Sequence, residues 1–329
     1  MSKIRAAITA VEGYVPDYVL TNEELSQMMD TSDEWIMTRI GIRERRMLKE
    51  EGKATSDMAA IAVQNLLKNN NIAPEEIDGV ICCTVTPDMH FPATASIVAD
   101  KCGIHGGMSM DMNVGCSGFI YGLKTASLYV ESGFCKKLLL IGAEKMTSAI
   151  DYQDRATAPI FGDGAAVVLL EPTEEEVGVM DAILCSDGVG RKHLHMKAGG
   201  SLKPASHETV DAREHFVYQE GQAVFKWAVS KMVSVSDEIM KRNGLNADSI
   251  KYLLPHQANI RIINAVGHHM NLPEEKVLVN IEKYGNTTSA TIPLLMWENQ
   301  HKFKKGDNLI LTSFGAGFSW GAIYVKWAI

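Results

Sequence analysis

Three side chains and one small-residue turn stand out as groups able to do chemistry. Cys116 lies in Asp111-Met112-Asn113-Val114-Gly115-Cys116-Ser117-Gly118-Phe119, where an apolar strand runs into an amphipathic helix. Glycines on both sides let the backbone turn sharply and put the thiol near a helix N-terminus, where the macrodipole favours thiolate and lowers the pKa. That setting suits a nucleophile. The other reading is a small buried residue at a strand end, which is the one assigned to Cys82, Cys83, Cys102, Cys135 and Cys185. His256 follows the apolar run Leu253-Leu254-Pro255. Pro255 ends that strand, so the imidazole stands at its carboxyl end, where ligand sites of α/β sheets gather; a satisfied core histidine is the competing account. Asn286, in Tyr284-Gly285-Asn286-Thr287-Thr288, supplies an amide or caps a helix. The turn Phe314-Gly315-Ala316-Gly317-Phe318-Ser319-Trp320-Gly321 does not fit a dinucleotide fingerprint, because no helix with a later acidic partner follows it. Such a turn can instead bring a backbone N–H close to a reacting carbonyl, beside the N–H of Cys116, or it can be a tight turn and nothing more.

The elements that position these groups come in two copies. Leu66 to Ile77 ends a helix, turns, and enters the apolar run Val80 to Cys83; Ile239 to Ile250 does the same before Tyr252 to Leu254. Ile72 to Leu245 and Ile77 to Ile250 are both offsets of 173 residues, and Leu138 to Leu309 is 171. The opening strand Ile4 to Val11 has its counterpart in Gly178 to Ser186. Each copy reads as strand, long helix, strand, helix, strand, helix, strand, an α/β alternation that implies mixed or parallel sheets covered by helices. The copies divide near Glu171 to Val177, giving an N-terminal half of 1–173 with Cys116 and a C-terminal half of 174–329 with His256 and Asn286. Asn286 lies 170 residues after Cys116, close to the duplication offset, so the second copy carries an amide where the first carries the thiol. A twofold relation between copies would bring both turns to the centre. Residues 188–215 form an excursion peculiar to the second copy, and excursions of that length tend to be functional. Within it, His193 and His195 lack an evident partner for metal binding.

Bulk properties set limits. The chain has 329 residues, 46% hydrophobic and 22% charged, with a formal net charge of −8. That is the balance of a globular protein with a large core, and its sign opposes nucleic-acid binding. The apolar runs fall far short of the ~20 residues that cross a bilayer. The N-terminus lacks a secretory h-region, and six irregularly spaced cysteines form no disulfide framework, so the expected compartment is the cytoplasm.

With these residues in place, the sequence resembles the 3-oxoacyl-acyl-carrier-protein synthase III (ketoacyl synthase III) family of thiolase-like condensing enzymes. Further segments carry the likeness: Thr31-Ser32-Asp33-Glu34-Trp35-Ile36, Gly41 to Arg46, Ile160 to Ala165, Ala198 to Ser201, and His256-Gln257-Ala258-Asn259. The resemblance implies a duplicated αβαβα thiolase fold, a homodimer, and the decarboxylating condensation of an acyl-CoA primer with malonyl-acyl-carrier protein that starts fatty-acid synthesis, without metal or nicotinamide. It implies acyl transfer to Cys116, hydrogen bonds from His256 and Asn286 to the malonyl thioester oxygen, and an oxyanion hole from the N–H groups of Cys116 and Ala316. By the same resemblance Trp35 and Arg39 sandwich the adenine of CoA, and Arg155 contacts the same region. Gly221 and Asn259 line the pantetheine tunnel, and Phe91, Phe161 and Phe314 shape the acyl pocket, with Phe91 reaching across the dimer. Lys226 and Arg261 meet the acidic carrier protein. Without the resemblance, Trp35 would read as helix core and the arginines as solvated surface. Departures from the family pattern are Gly115 in place of alanine, Ala316 in the middle of a turn where three glycines are common, and His268 and His269 where lysines are frequent; the last pair would make carrier-protein affinity weaker or more pH-dependent.

Two other functions fit parts of this pattern. The order Cys116, His256, Asn286 matches papain-like proteases, whose histidine and asparagine follow the cysteine by about 130 to 150 residues, but the local signature around the cysteine is absent. A specialised condensing enzyme, priming a secondary metabolite with a longer or aromatic acyl group, would share the three residues, and pocket depth is what would separate it.

Overall fold

Two runs of strands whose side chains are buried on both faces can only be stabilised between layers of helices, and the chain builds two such runs. The computed structural model describes residues 4–329. The first run comprises β1 (Arg5–Tyr14), β2 (Val19–Thr21), α1 (Asn22–Met28), α2 (Asp33–Arg39), β3 (Glu44–Arg46), α3 (Thr55–Asn69), β4 (Gly79–Cys83), α4 (Thr94–Lys101), β5 (Met108–Met112), α5 (Gly118–Glu131), β6 (Leu138–Lys145) and β7 (Asp163–Thr173). The second comprises β8 (Gly178–Ser186), β9 (Leu194–Met196), α6 (His207–Asp211), β10 (Val217–Gln219), α7 (Gly221–Arg242), β11 (Tyr252–Pro255), α8 (Ile260–His269), α9 (Ile281–Tyr284), α10 (Thr291–Asn299), β12 (Asn308–Gly315) and β13 (Ser319–Lys326).

The first sheet has the order β1-β7-β6-β4-β5, with β4 parallel to β5 and β6, and β7 antiparallel to its neighbours β1 and β6. The second runs β8-β13-β12-β11 with the same directions. Where a fifth strand would continue it, a single parallel bridge joins Leu253 to Val277. The first sheet therefore holds one strand more than the four that the sequence pattern predicts for each copy, and the second holds four. β7 and β13 follow β6 and β12 without an α-helix between, and β13 pairs with β12 directly after the turn at Ala316.

Three buried clusters give the layers. Leu66, Val63 and Met58 of α3 and Val98 of α4 pack on one face of the first sheet. Met232 and Ile239 of α7 with Val266 of α8 pack on one face of the second. Between the sheets, Phe119, Ile120 and Leu123 of α5 and Ile292 and Leu295 of α10 share one cluster with Ile81 and Leu140 of the first sheet and Leu254 and Leu311 of the second. This is the αβαβα arrangement of the thiolase fold. Among the described residues, no helix is long and apolar enough to cross a membrane.

The halves meet at close range around α5 and α10. A Cβ on Gly142 of β6 would stand 2.6 Å from the Ser289 carbonyl oxygen of the second half, a contact no backbone can relieve by a rotamer change. Gly142→Ala should destabilise the fold by roughly 1–3 kcal/mol through overpacking, read as a lower midpoint in chemical unfolding; an unchanged midpoint would mean the seam is looser than described.

Candidate active site

Each of the four sequence-selected groups stands at the inner end of an element beside this seam. β5 ends at Met112, Gly115–Ser117 make one 3-10 turn, and α5 starts at Gly118, so Cys116 sits at a helix N-terminus and is buried. Gly115 has φ +55°, the left-handed region that glycine adopts without a Cβ clash. The expected thiol acidity is reversed. Burial pushes the Cys116 thiol up to about 12, the Glu144 carboxyl adds to the rise, and hydrogen bonds from the residue's own backbone and from the Asn286 side chain oppose it. Desolvation outweighs the helix terminus, so the resting sulfur is a neutral thiol.

His256 extends the parallel pairing of β11 with β12 by one residue, its N–H donating to the Thr312 carbonyl at 2.8 Å. Its ring is buried, and burial pushes its pKa down to about 3, so the imidazole is neutral. Nδ1 lies 2.7 Å from the Thr291 hydroxyl at the start of α10, while Nε2 is a buried polar atom without a partner. A neutral imidazole has one N–H, and the Thr291 hydroxyl decides where it goes: if that hydroxyl donates to Nδ1, the proton is on Nε2, aimed into the site. The Thr291 hydroxyl also donates to the Thr288 carbonyl at 3.1 Å, so its single proton serves one of the two contacts at a time.

Asn286 is clamped by the first half. Its N–H donates to the Ile160 carbonyl at 2.8 Å, its carbonyl accepts from Gly162 N–H at 3.1 Å, and Phe161 pairs with it as a lone parallel bridge. Its Oδ1 accepts from Thr288 N–H at 2.8 Å, which leaves the Nδ2 end to donate to the Cys116 sulfur. The Oδ1 bond closes a turn rather than capping a helix, because Thr287 stands at the cap position of the 3-10 turn that follows.

The turn between β12 and β13 backs Cys116. The Ser313 hydroxyl donates to the Cys116 carbonyl at 2.9 Å, the Ser117 hydroxyl to the Ser319 carbonyl at 3.0 Å, and the Ser319 hydroxyl to the carbonyls of Val114 at 3.0 Å and Ala316 at 2.9 Å. A Cβ on Gly315 would lie 2.5 Å from the Cys116 nitrogen, so only glycine lets the two backbones touch. A Cβ on Gly115 would lie 2.8 Å from the Ala316 nitrogen and 3.1 Å from the Ala316 methyl. The two departures from the family pattern at 115 and 316 therefore face each other: the methyl absent from one side of the contact is present on the other.

The outlying residues divide. Arg155 places its guanidinium 5.3 Å from the Trp35 ring centroid and bonds Asp30 at 2.9 Å. Arg39, exposed in the last turn of α2, accepts from the Asn259 side chain at 3.1 Å through its carbonyl, and Asn259 caps α8. Gly221 opens α7 and is exposed, as is Lys226 one turn on; exposed Arg261 lies over the Phe225 ring at 5.3 Å. His268 is exposed and His269 bonds Asp237 at 2.8 Å. Phe161 and Phe314 are buried, the latter against Phe318 at 4.8 Å, whereas Phe91 is 84% exposed and does not line this chain's own site. His193 has a carboxylate partner after all, Glu220 at 2.5 Å, which spacing alone hides.

Two residues escaped the sequence reading. Thr291 has no signal in its neighbourhood. Glu144 has one, an acid closing the otherwise apolar strand Leu138 to Ala143; its pKa is raised to about 7 by burial. The chemistry these groups permit is acyl transfer by a buried thiol that receives a hydrogen bond from the Asn286 amide, with a neutral His256 on the adjoining strand end. A protease-like thiolate–imidazolium pair is disfavoured by burial of both partners.

The chain matches family models at residues 110–188, "3-Oxoacyl-[acyl-carrier-protein (ACP)] synthase III", and 240–327, the C-terminal portion of the same synthase. It is 57% identical over 327 residues to beta-ketoacyl-[acyl-carrier-protein] synthase III 2 of Bacteroides thetaiotaomicron, covering 99% of this chain and 98% of that one. It is 58% identical over 328 residues to the corresponding synthase III of Porphyromonas gingivalis, covering 100% and 98%. The crystal structure of 3-oxoacyl-[acyl-carrier-protein] synthase III from Aquifex aeolicus is similar at a TM-score of 0.90 and 38% identity, covering 98% of this chain and 100% of that one.

Gly115→Ala should cost about 1–3 kcal/mol from left-handed backbone strain and the clash with Ala316. Ala316→Gly should stay close to the original, and the double substitution should recover the steric share of the loss but not the backbone share. Chemical unfolding of the three variants checks this; strictly additive changes would show that the two positions do not touch.

Proposed function

The chain belongs to the 3-oxoacyl-[acyl-carrier-protein] synthase III family, and from that membership we propose how its own residues perform the condensation that initiates fatty-acid synthesis. It is an acyl-transferring condensing enzyme. Relatives more than half identical over the whole chain carry the synthase III name, so the specialised priming role is not favoured.

The proposed cycle has two half-reactions. In the first, the Cys116 sulfur attacks the thioester carbonyl of acyl-CoA, its proton passes to the departing CoA sulfur, and an acyl-Cys116 thioester remains. The oxyanion formed on the way is held by the Cys116 and Ala316 N–H groups. In the second, the thioester oxygen of malonyl-acyl-carrier protein accepts from His256 Nε2 and Asn286 Nδ2. Carbon dioxide leaves, its bonding electrons move onto that oxygen as an enolate, and the enolate carbon attacks the acyl thioester. Collapse expels Cys116 sulfur, which regains a proton, and releases 3-oxoacyl-carrier protein. Two neutral donors strengthen their bonds as the oxygen gains charge, which stabilises the transition state more than the ground state. The observation that carries this reading is the buried, partnerless Nε2 of a neutral His256 beside an amide that donates to the Cys116 sulfur.

Trp35 and Arg155 form a stacking platform suited to a purine, with Arg39, Asn259 and Gly221 along the approach. Lys226 and Arg261 offer positive charge to an acidic carrier protein. A homodimer is supported by β5, whose outer edge pairs with no strand among the described residues, and by exposed Phe91, free to enter a partner's acyl pocket. Six free cysteines suit a reducing cytoplasm.

His256→Ala and Asn286→Ala should still form the acyl-enzyme while condensation with malonyl-carrier protein falls by roughly 100- to 1,000-fold. Thr291→Val, which removes the hydroxyl that holds Nδ1 of His256, should lower kcat in the same direction and leave acylation intact. Loss of acylation together with condensation, or retention of both, would contradict the assignment. Sedimentation equilibrium should give twice the chain mass, with Phe91→Ala retaining that mass but altering the preferred primer length; a monomer that is fully active would remove the dimer from the account.

A further inference from the structure

Glu144 is the acid that the proposed chemistry leaves unused. It closes β6, is completely buried, and meets only hydroxyls and backbone N–H groups. Oε2 accepts from the Thr84 hydroxyl at 3.1 Å, Val85 N–H at 3.0 Å, Thr86 N–H at 3.1 Å and the Thr86 hydroxyl at 2.6 Å. Oε1 shares the Val85 N–H at 3.1 Å and lies 2.8 Å from the Ser289 hydroxyl. That hydroxyl is also 2.6 Å from the Cys83 carbonyl oxygen. Ser289 has one proton for two acceptors. An ionised Glu144 would leave one of these short contacts without a hydrogen. A proton on Oε1 satisfies both: Oε1–H donates to the Ser289 oxygen, and Ser289 O–H donates to the Cys83 carbonyl.

We propose that Glu144 is a positioning residue whose carboxyl stays protonated in the working enzyme, with its proton on Oε1, tying the Asn286 turn through Ser289 to the strand ends behind Cys116. Ser289 belongs to the turn that runs from Asn286 into Thr291, the partner of His256, so this single relay fixes the segment from which both donors take their geometry. Burial favours the neutral acid in the same sense, raising its pKa to about 7. The titratable groups that interact with it electrostatically are Cys82 and Cys83 of β4 and Cys116. All of these become anionic when ionised, so none stabilises a carboxylate there. Lys145, the next residue in β6, points to the other face and bonds the Lys53 carbonyl. In its neutral form Glu144 sets no charge against the sulfur or the enolate; once ionised it opposes negative charge on both. Activity should therefore decline as pH rises through the titration of Glu144, because the working form is the protonated one.

The inference rests on Cys116 being the nucleophile, and two of its readouts need no substrate. In the full-length protein, infrared difference spectra should show a protonated-carboxyl carbonyl band at pH 6 that is lost at pH 9 and is absent from Glu144→Gln. Alkylation of Cys116 by iodoacetamide at pH 9 should be faster in Glu144→Gln than in the original by at least about threefold, a shift of roughly half a pKa unit. Whatever the level of its kcat, Glu144→Gln should lack the alkaline decline seen in the original enzyme. Ser289→Ala, which removes the acceptor of the Oε1 proton, should move that decline to lower pH. A purely structural role would change levels and leave these pH profiles in place. An absent carboxyl band, equal alkylation rates, or a decline that survives Glu144→Gln unshifted would overturn the proposal; if that variant does not fold, an unmoved decline in Ser289→Ala would do so.

Discussion

Removal of water from a thiol, an imidazole and a carboxyl at one seam is the constraint on which the rest of this structure depends. Burial raises the thiol to about 12, lowers the imidazole to about 3 and raises the carboxyl to about 7, in each case favouring the uncharged form. The sulfur is held as a thiol and the ring as a neutral base. Charge therefore arises only while a reaction is under way, and the dipoles around it are already in place when it does. Such an arrangement favours transition states in which an oxygen gains negative charge, because fixed donors need no reorganisation to meet it. It disfavours a resting ion pair, which would carry the desolvation cost of both charges at all times.

The duplicated chain is what makes such a seam possible. Each half brings strand ends, a turn and a buried helix to the same plane, and each is incomplete alone. The nucleophile turn of the first half hangs from serines of the second, and the Asn286 turn of the second is clamped between Ile160 and Gly162 of the first. Glycine at 142 and 315 lets these backbones approach to a distance that no other residue permits. The second half lacks a full counterpart of β5, while the first leaves β5 with a free edge. The departure from symmetry thus falls at the place where a second molecule is proposed to join.

Much of this was legible in the residues. The near-constant offset between copies predicted the paired turns, and Pro255 marked the strand end from which His256 projects. Two things were not. The strand β7 was missed because helix alternation masks a strand that follows its neighbour through a turn. The thiol pKa was predicted in the wrong direction, since a helix N-terminus is visible in sequence and the depth of burial is not. Glu144 left a trace as an acid in an apolar strand, yet its meaning appears only when the single proton of Ser289 is counted.

The central claim is that the one reactive thiol in the chain is the buried Cys116, although five other cysteines are present. Intact-mass spectrometry after brief exposure to short-chain acyl-CoA, followed by peptide mapping, tests it most directly. The account predicts one added acyl group per chain, located on the peptide containing Cys116 and missing from Cys116→Ala. An unmodified chain across a panel of primers, or an acyl group retained by Cys116→Ala, would contradict it.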